Sequence, residues 1–173
     1  MLLLLIQALW FILPAYAANA FPPMLKGKRV LDFGKRLHKH RILGDGKTIE
    51  GTAGGILFGF FIGLIRIYVQ GFIPADWGLN LIKMSIPIIL SLSIGAVIGD
   101  ILGSFTKRRF SIKRGEPAPL LDQLDFLFFA ILSANLILSI KTEIIIVLLV
   151  ITPPIHWVTN LVGYFAKIKK TPW

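Results

Sequence analysis

The chain contains no cysteine, and its acidic residues are scarce. Without thiols, disulfide bonds and thiolate metal sites are excluded. Nine Asp and Glu residues stand against 19 Lys and Arg residues, which gives a formal net charge of +10. Such an excess is typical of proteins that contact anions. Hydrophobic residues make up 55% of the 173 positions, so the sequence has little room for a second, soluble domain.

Charge is nearly absent from five long apolar segments, each about as long as the ~20 residues that a helix needs to cross a bilayer. These predicted spans cover residues 2–20, 52–70, 79–102, 122–140 and 144–166. The first has no positive region before it, so we expect a retained helix and not a cleaved signal peptide. The sequence therefore predicts an all-α integral membrane protein with five transmembrane helices, in a single domain over residues 1–173.

The basic residues concentrate in two of the loops, 21–51 and 103–121, and after the last span. The first loop holds eight of them: Lys26, Lys28, Arg29, Lys35, Arg36, Lys39, Arg41 and Lys47. The second loop and the C-terminus hold eight more: Lys107, Arg108, Arg109, Lys113, Arg114, Lys167, Lys169 and Lys170. The positive-inside rule then predicts an external N-terminus and a cytosolic C-terminus in a multi-pass protein of the cytoplasmic membrane. Attraction to anionic lipid explains the charge, so we expect no nucleic-acid partner and infer no obligate protein partner.

Three of the nine acids are predicted to lie at the cytosolic boundary, where carboxylates are functional candidates. Asp100 ends the third span, and Asp122 and Asp125 share one face at the start of the fourth. Hard oxygen ligands of this kind suit Mg²⁺, which binds through a few carboxylates and substrate phosphates. The alternative for Asp122 is a helix N-cap, and for Asp125 a favourable contact with the helix dipole.

Two basic segments lie beside these acids. Lys107, Arg108, Lys113 and Arg114 follow the third span and form either a polyphosphate cradle or a patch for lipid headgroups. The segment GDGKTIEGTAGG at 44–55 is not a Walker A loop, because Arg41 stands where that motif needs glycine. A loop that presents Lys47, Thr48 and Glu50 at a helix N-terminus still suits phosphate, and its alternative is an ordinary turn.

Polar residues inside the apolar spans predict a cavity on the cytosolic side. His156 and Asn160 share one face of the fifth span, and Asn135 lies within the fourth. These side chains either line a substrate pocket or form hydrogen bonds between helices.

Glycines at a spacing of four mark the second and third spans. Gly51, Gly55, Gly59 and Gly63 lie on one face, and Ser91, Gly95, Gly99 and Gly103 lie on another. Small residues at this spacing let helix backbones approach closely, so we expect these two spans to pack along one seam. That seam would bring the 44–51 loop close to Asp100.

The order of residues from Gly99 to Asp125 resembles the signature of the CTP-dependent phosphatidate cytidylyltransferase family. The matching positions are Gly99, Asp100, Ser104, Lys107, Arg108, Lys113, Pro117 or Pro119, Asp122 and Asp125. The chain departs from the bacterial pattern, because Arg114 replaces a frequent acid and a Gly-rich stretch before the aspartates is missing. LPAYAAN at 13–19, GDGKT-x-EG at 44–51 and PPIHWVTN at 153–160 look like the archaeal branch of the family, and this resemblance covers nearly the whole chain.

The resemblance implies a reaction and a set of roles. CTP and 2,3-bis-O-geranylgeranyl-sn-glycerol 1-phosphate would give CDP-archaeol and pyrophosphate, with Mg²⁺ as cofactor. Asp100, Asp122 and Asp125 would hold the metal, and Lys107, Arg108 and Lys113 would neutralise the leaving pyrophosphate. Lys47, Thr48, Glu50, Ser104 and Arg114 would contact the nucleotide.

A small membrane transporter or channel for phosphate-bearing anions is the alternative function. It would favour paired broken helices near the midplane, and the sequence shows no internal repeat.

Overall fold

A computed structural model describes residues 1–37, 40–169 and 171–172 of the chain. Lys39 and Lys170, two of the basic residues used to predict the orientation, lie outside the described residues. The fold is mostly helical, as predicted, with the addition of a small hairpin in the first basic loop. The elements in order are α1 Leu2–Ala20, α2 Pro22–Leu25, β1 Arg36–Leu37, β2 His40–Arg41, α3 Ile49–Gln70, a 3₁₀ turn Ala75–Trp77, α4 Ile86–Arg109, α5 Leu121–Asn135 and α6 Thr142–Phe165.

Four helical segments among the described residues are long and apolar enough to cross a membrane. They are Leu2–Leu25, Ile49–Gln70, Ile86–Arg109 and Thr142–Phe165. The predicted fourth span, 122–140, is shorter in the structure, because α5 ends at Asn135 after 15 residues. At 1.5 Å per residue such a helix is about 22 Å long. The apolar turn that follows it extends this segment, with Leu136 85% exposed.

Helix α1 forms the centre of the bundle. Ala8, Phe11, Ile12, Ala15 and Ala18 on its buried face are fully inaccessible to solvent. This face packs against α3, α4, α5 and α6. Because lipid surrounds the outside of such a bundle, the close packing of small residues brings its helices together.

The boundaries of α4 differ from the predicted span 79–102. The helix begins at Ile86, because Pro87 stands in its first turn, where the missing N–H group costs nothing. It continues to Arg109, because the cations of its last turn interact favourably with the helix dipole. Ser104, Lys107 and Arg108 are therefore helical and do not lie in the predicted loop 103–121.

The predicted seam between the second and third spans is confirmed, but the glycines of α4 are not part of it. An added Cβ at Gly59 of α3 would lie 2.6 Å from the carbonyl oxygen of Pro14 in α1 and 2.7 Å from Oγ of Ser93 in α4. The glycines of α4 instead face α5, where an added Cβ at Gly95 would lie 2.6 Å from the carbonyl oxygen of Phe129. Helices α3 and α4 do touch, but α5 covers the glycine face of α4.

The first basic loop is folded back along the end of the bundle. Val30 and Thr48 form an isolated antiparallel bridge, and β1 pairs with β2 between them. Arg109 at the end of α4 donates from Nη1 to the carbonyl oxygen of Leu37 (3.1 Å) and from Nη2 to that of Arg41 (2.7 Å). We call this end of the molecule, where both basic loops and the end of α6 meet, the basic face.

Candidate active site at the basic face

The first basic loop reaches Asp100 on α4. Thr48 caps α3 by accepting a hydrogen bond at Oγ1 from the backbone N–H of Gly51 (3.1 Å). This cap fixes the position of Lys47, which precedes Thr48. The ammonium of Lys47 donates to Oδ2 of Asp100. The expected closeness of the 44–51 loop to Asp100 is therefore present, and so is the contact between α3 and α4 that suggested it.

The second basic segment reaches Asp122 on α5 in the same way. Lys107, in the last turn of α4, donates from its ammonium to Oδ1 of Asp122. The other carboxylate oxygen of Asp122 accepts a hydrogen bond from the backbone N–H of Ala118 (2.9 Å). Leu120 occupies the N-cap position, so Asp122 lies in the first turn of α5 and is not the cap.

Asp125 lies one turn further along α5, against Gly103 of α4. An added Cβ at Gly103 would overlap the Asp125 side chain, so only glycine leaves room for this carboxyl. Its Oδ1 accepts from the backbone N–H of Phe126 (2.6 Å), and no described Lys or Arg forms an ion pair with it. The charges of Asp100, Lys47 and Asp122 all act on it. The three aspartates predicted from sequence thus belong to one electrostatic cluster.

The cluster fits Mg²⁺ in the kind of ligand it offers, since all three carboxylates supply hard oxygens. Over residues 1–37, 40–169 and 171–172, however, no three Asp, Glu or His side chains converge closely enough to hold an ion. Lysine ammonium groups pair with Asp100 and Asp122 and supply the positive charge that these carboxylates need. Binding a metal here requires Lys47 and Lys107 to release the carboxylates.

A basic cavity of about 120 Å³ opens beside these ion pairs. The residues that line it are Leu43, Gly44, Asp45, Gly46, Lys47, Ser104, Lys107, Arg108, Arg114 and Gly115. Five of them, Lys47, Ser104, Lys107, Arg108 and Arg114, are residues that the sequence singled out. Arg108 donates from Nη1 to the carbonyl oxygen of Ile112 (2.5 Å), and its buried Nε has no hydrogen-bond partner.

Other predicted nucleotide contacts lie outside this cavity. Glu50 accepts from Nε of Arg29 (2.9 Å), and Thr48 serves as the cap of α3. Lys113 is exposed, and its backbone N–H donates to Glu116 (2.6 Å). Their direct roles stay predictions.

A second, more apolar cavity of about 190 Å³ lies between the start of α5 and the end of α6. Its lining consists of Pro117, Ala118, Pro119, Asp122, Gln123, His156, Trp157 and Asn160. His156 and Asn160 both line this cavity, and the Asn160 amide nitrogen lies 3.2 Å from Nδ1 of His156. Their role in binding a substrate stays a prediction. Asn135 is not part of this cavity, because it lies at the opposite end of α5, where its Oδ1 accepts from the N–H of Ile140 (3.1 Å).

The two cavities share one wall. Lys107 lines the basic cavity and Asp122 lines the apolar one, and these two side chains form an ion pair with each other. A polyphosphate in the first cavity and an amphiphile in the second would therefore meet at this pair.

Asp32 organises the basic loop, and the sequence analysis did not find it. The side chain is buried and accepts hydrogen bonds from Nη2 of Arg41 (2.6 Å) and from the backbone N–H groups of Leu43 (3.0 Å), Gly44 (3.1 Å) and Gly34 (3.1 Å). Burial opposes ionisation, but the Arg41 guanidinium and these N–H groups outweigh it and hold the pKa of Asp32 well below its usual range. Gly44, which donates to Asp32, also lines the basic cavity. Its φ of +89° favours glycine.

Replacing Asp32 by asparagine should therefore loosen the wall of the basic cavity. We expect the KM for CTP, the ligand implied by the family resemblance, to rise about tenfold, because a charge-assisted hydrogen bond contributes about 1.5–3 kcal/mol. The KM for the lipid substrate should stay unchanged, since the apolar cavity does not include this loop. Steady-state kinetics over a series of each substrate measure the two values. Equal changes in both KM values would contradict the assignment.

The same contact predicts a pH dependence of stability. Because the pKa of Asp32 is lowered in the folded state, its contribution is complete above the unfolded pKa, near 4, and is lost as the pH falls towards the folded value. The difference in melting temperature between the natural chain and Asp32→Asn should therefore be largest near pH 7 and shrink below pH 4.

Known proteins resemble this chain over nearly its full length. A family model described as "CarS-like: CDP-archaeol synthase" matches residues 1–173. The chain is 43% identical to the CDP-archaeol synthase of Pyrococcus horikoshii, over 98% of this chain and 97% of that protein. It is 44% identical to the one of Methanococcus maripaludis, over 100% of this chain and 99% of that protein.

A solved structure, described as an intramembrane enzyme for archaeal membrane lipids biosynthesis, superimposes with a TM-score of 0.78. It is 34% identical, and the match covers 91% of this chain and 94% of that one. Identity at this level over nearly the full length establishes both family and fold. The chain belongs to the CDP-archaeol synthase family.

Proposed function

We propose that the basic cavity binds the triphosphate of CTP, and that the apolar cavity admits the phosphate of 2,3-bis-O-geranylgeranyl-sn-glycerol 1-phosphate. As a member of its family the chain is a CTP-dependent cytidylyltransferase that forms CDP-archaeol for archaeal lipid biosynthesis. The observation that carries the placement of the substrates is the Lys107–Asp122 ion pair, which joins the two cavities.

The reaction needs positioning and charge neutralisation more than proton transfer. An oxygen of the lipid phosphate, already anionic, attacks the α-phosphorus of CTP and forms the new O–P bond. The bond from the α-phosphorus to the bridging oxygen breaks, and pyrophosphate leaves with the electron pair. Lys47, Lys107, Arg108 and Arg114 surround the basic cavity and would neutralise the charge of the triphosphate and of the leaving group. Holding the two reactants in line supplies much of the rate enhancement.

We infer that Asp100, Asp122 and Asp125 hold Mg²⁺ when the nucleotide binds. The metal, once bound, would neutralise the triphosphate oxygens and increase the electrophilicity of the α-phosphorus. On this inference Lys47 and Lys107 exchange a carboxylate for a phosphate as CTP arrives. The exchange keeps their positive charge paired before and after binding, which avoids leaving buried charges alone.

Transfer of label tests the proposed function. Purified protein with Mg²⁺, lipid phosphate and CTP labelled at the α-phosphate should move the label into the lipid and release one pyrophosphate for each lipid labelled. The diether alcohol that lacks the phosphate should accept no label. Label that stays in the nucleotide under all conditions would overturn the proposal. The transport alternative is not favoured, because the family is enzymatic.

Arg108 offers a test of geometry in the basic cavity. Its guanidinium is fixed by the carbonyl of Ile112, so a lysine ammonium will not reproduce its contacts with phosphate. We expect Arg108→Lys to lower kcat/KM for CTP about thirtyfold or more, which corresponds to roughly 2 kcal/mol. Arg36→Lys is the matched control, because Arg36 is an exposed arginine in the hairpin of the first basic loop and does not line the basic cavity. Equal, small effects of both exchanges would show that general positive charge is sufficient.

The orientation in the membrane is also a proposal. Sixteen of the 19 Lys and Arg residues belong to the loops and the terminus assigned to the cytosol. A reporter fused after residue 170 should be cytosolic, and one inserted near Asp76 should be external. An external C-terminal reporter would place the active site on the wrong side of the membrane for cytosolic CTP.

A further inference from the structure

The chain folds back on itself after α6, and this turn brings the ammonium of Lys169 to Asn160, a residue that lines the apolar cavity. The backbone N–H groups of Ile168 (2.9 Å) and Lys169 (3.0 Å) both donate to the carbonyl oxygen of Gly163. Lys167 adopts a left-handed conformation with φ of +58°, which reverses the chain. The stem of Lys169 then lies over Gly163, since a Cβ added there would be 3.6 Å from Cγ and Cδ of the lysine.

The ammonium of Lys169 is held by neutral groups. It donates to Oδ1 of Asn160, a buried residue whose amide nitrogen points to the ring of His156 (3.2 Å from Nδ1). Among the described residues, no carboxylate lies within 4.0 Å of this ammonium. Lys47 and Lys107 differ from Lys169, because each of them forms an ion pair with an aspartate.

A half-buried cation without an anionic partner is costly, and a bound anion removes that cost. Burial lowers the pKa of Lys169; the charges of Asp100 and Asp122 oppose this effect, and those of Lys47 and Lys107 add to it. Asn160 and His156, which orient the ammonium, line the apolar cavity together with Asp122. Lys169 itself lines neither cavity, but its partner Asn160 lines the apolar one, so its position suits the lipid substrate better than the triphosphate.

We propose that Lys169 binds the phosphate of the lipid substrate at the mouth of the apolar cavity and orients the attacking oxygen. The inference rests on the proposed function, and it adds a lipid-phosphate site formed by Lys169, Asn160 and His156. An ammonium is a compact charge with three donors that rotate freely, so it can hold one phosphate oxygen and leave another free to react. The turn at the end of α6 therefore belongs to the lipid side of the active site.

Lys169→Gln, compared with Lys167→Gln, tests the site. Glutamine keeps part of the apolar stem and an N–H donor but removes the charge, and Lys167 is an exposed neighbour in the same turn. We expect Lys169→Gln to raise the KM for the lipid phosphate at least tenfold with an unchanged KM for CTP. Lys167→Gln should change neither value. A rise in the KM for CTP alone, or no change in either, would overturn the proposal while the proposed function stands.

A binding measurement on the natural chain removes any dependence on the folding of the variant. Reductive methylation of lysines, followed by peptide mass spectrometry, should modify Lys169 at least fivefold more slowly when the lipid phosphate is present. The matching diether alcohol, which has the same tails without the phosphate, should give no protection. Equal rates with both lipids would overturn the proposal. Failure of label transfer from CTP in the natural chain would instead contradict the proposed function.

Discussion

Asp125→Asn should abolish cytidylyl transfer while leaving the bundle folded. The residue has no described ion-pair partner, so its carboxyl is free to serve a ligand, and asparagine has nearly the same shape beside Gly103. Loss of one carboxylate would misplace the metal and the triphosphate, at a cost of several kcal/mol in transition-state stabilisation. We expect the rate to fall at least a hundredfold, or about 2.7 kcal/mol. Initial rates of label transfer at saturating CTP and lipid measure this change.

Asp76→Asn is the matched control, because that exposed aspartate lies in the 3₁₀ turn, far along the chain from the basic face. It should retain the natural rate. Activity should also depend on a divalent ion and disappear with excess chelator. If Asp125→Asn transfers label at the natural rate, or if the chelator does not change that rate, the aspartates are structural residues of the helix ends.

Gly99→Ala should cause the second large loss, through packing instead of chemistry. An added Cβ would meet the backbone of α5, at 2.7 Å from Cα of Phe126 and 2.8 Å from the carbonyl carbon of Asp125. Backbone atoms cannot rotate away, so α4 and α5 must separate, and Asp100 and Asp125 would move apart with them. Overpacking of this kind costs typically 1–3 kcal/mol. We expect at least a tenfold loss of activity and a lower melting temperature.

Gly71→Ala provides the comparison for this substitution. Its added Cβ would meet only the carbonyl oxygen of Tyr68 at 3.4 Å, at the end of α3 away from the basic face. Activity and melting temperature should stay close to those of the natural chain. A Gly99→Ala variant with the same properties as Gly71→Ala would show that the contact between α4 and α5 can relax without disturbing the active site.

The sequence predicted the helical architecture, which depends on patterns within single segments, and it pointed to candidate residues that the structure brings close together. Apolar runs identified the helices, and boundary carboxylates identified Asp100, Asp122 and Asp125. Helix ends were harder to predict. Apolar residues before Pro87 extended the predicted span, although the structure begins the helix at Ile86, and the cations up to Arg109 continue it beyond the apolar run.

Contacts made through loops were beyond the sequence pattern. Asp32 was a single acid in a basic segment, and its role depends on backbone N–H groups from residues up to twelve positions away. Lys169 was one of three lysines after the last span, and only the left-handed turn at Lys167 separates its position from that of its neighbours. Pairing of glycine faces was also ambiguous, because both α3 and α5 offered partners to α4.

In the proposed mechanism, two substrates occupy separate cavities and meet at Lys107 and Asp122. Photoaffinity labelling with a CTP analogue that carries its reactive group on the γ-phosphate tests this most directly. Peptide mapping should find the label within residues 44–47 or 104–115, and CTP should displace it while the lipid phosphate does not. Label confined to residues 117–123 or 156–160, and displaced by the lipid phosphate, would contradict the account.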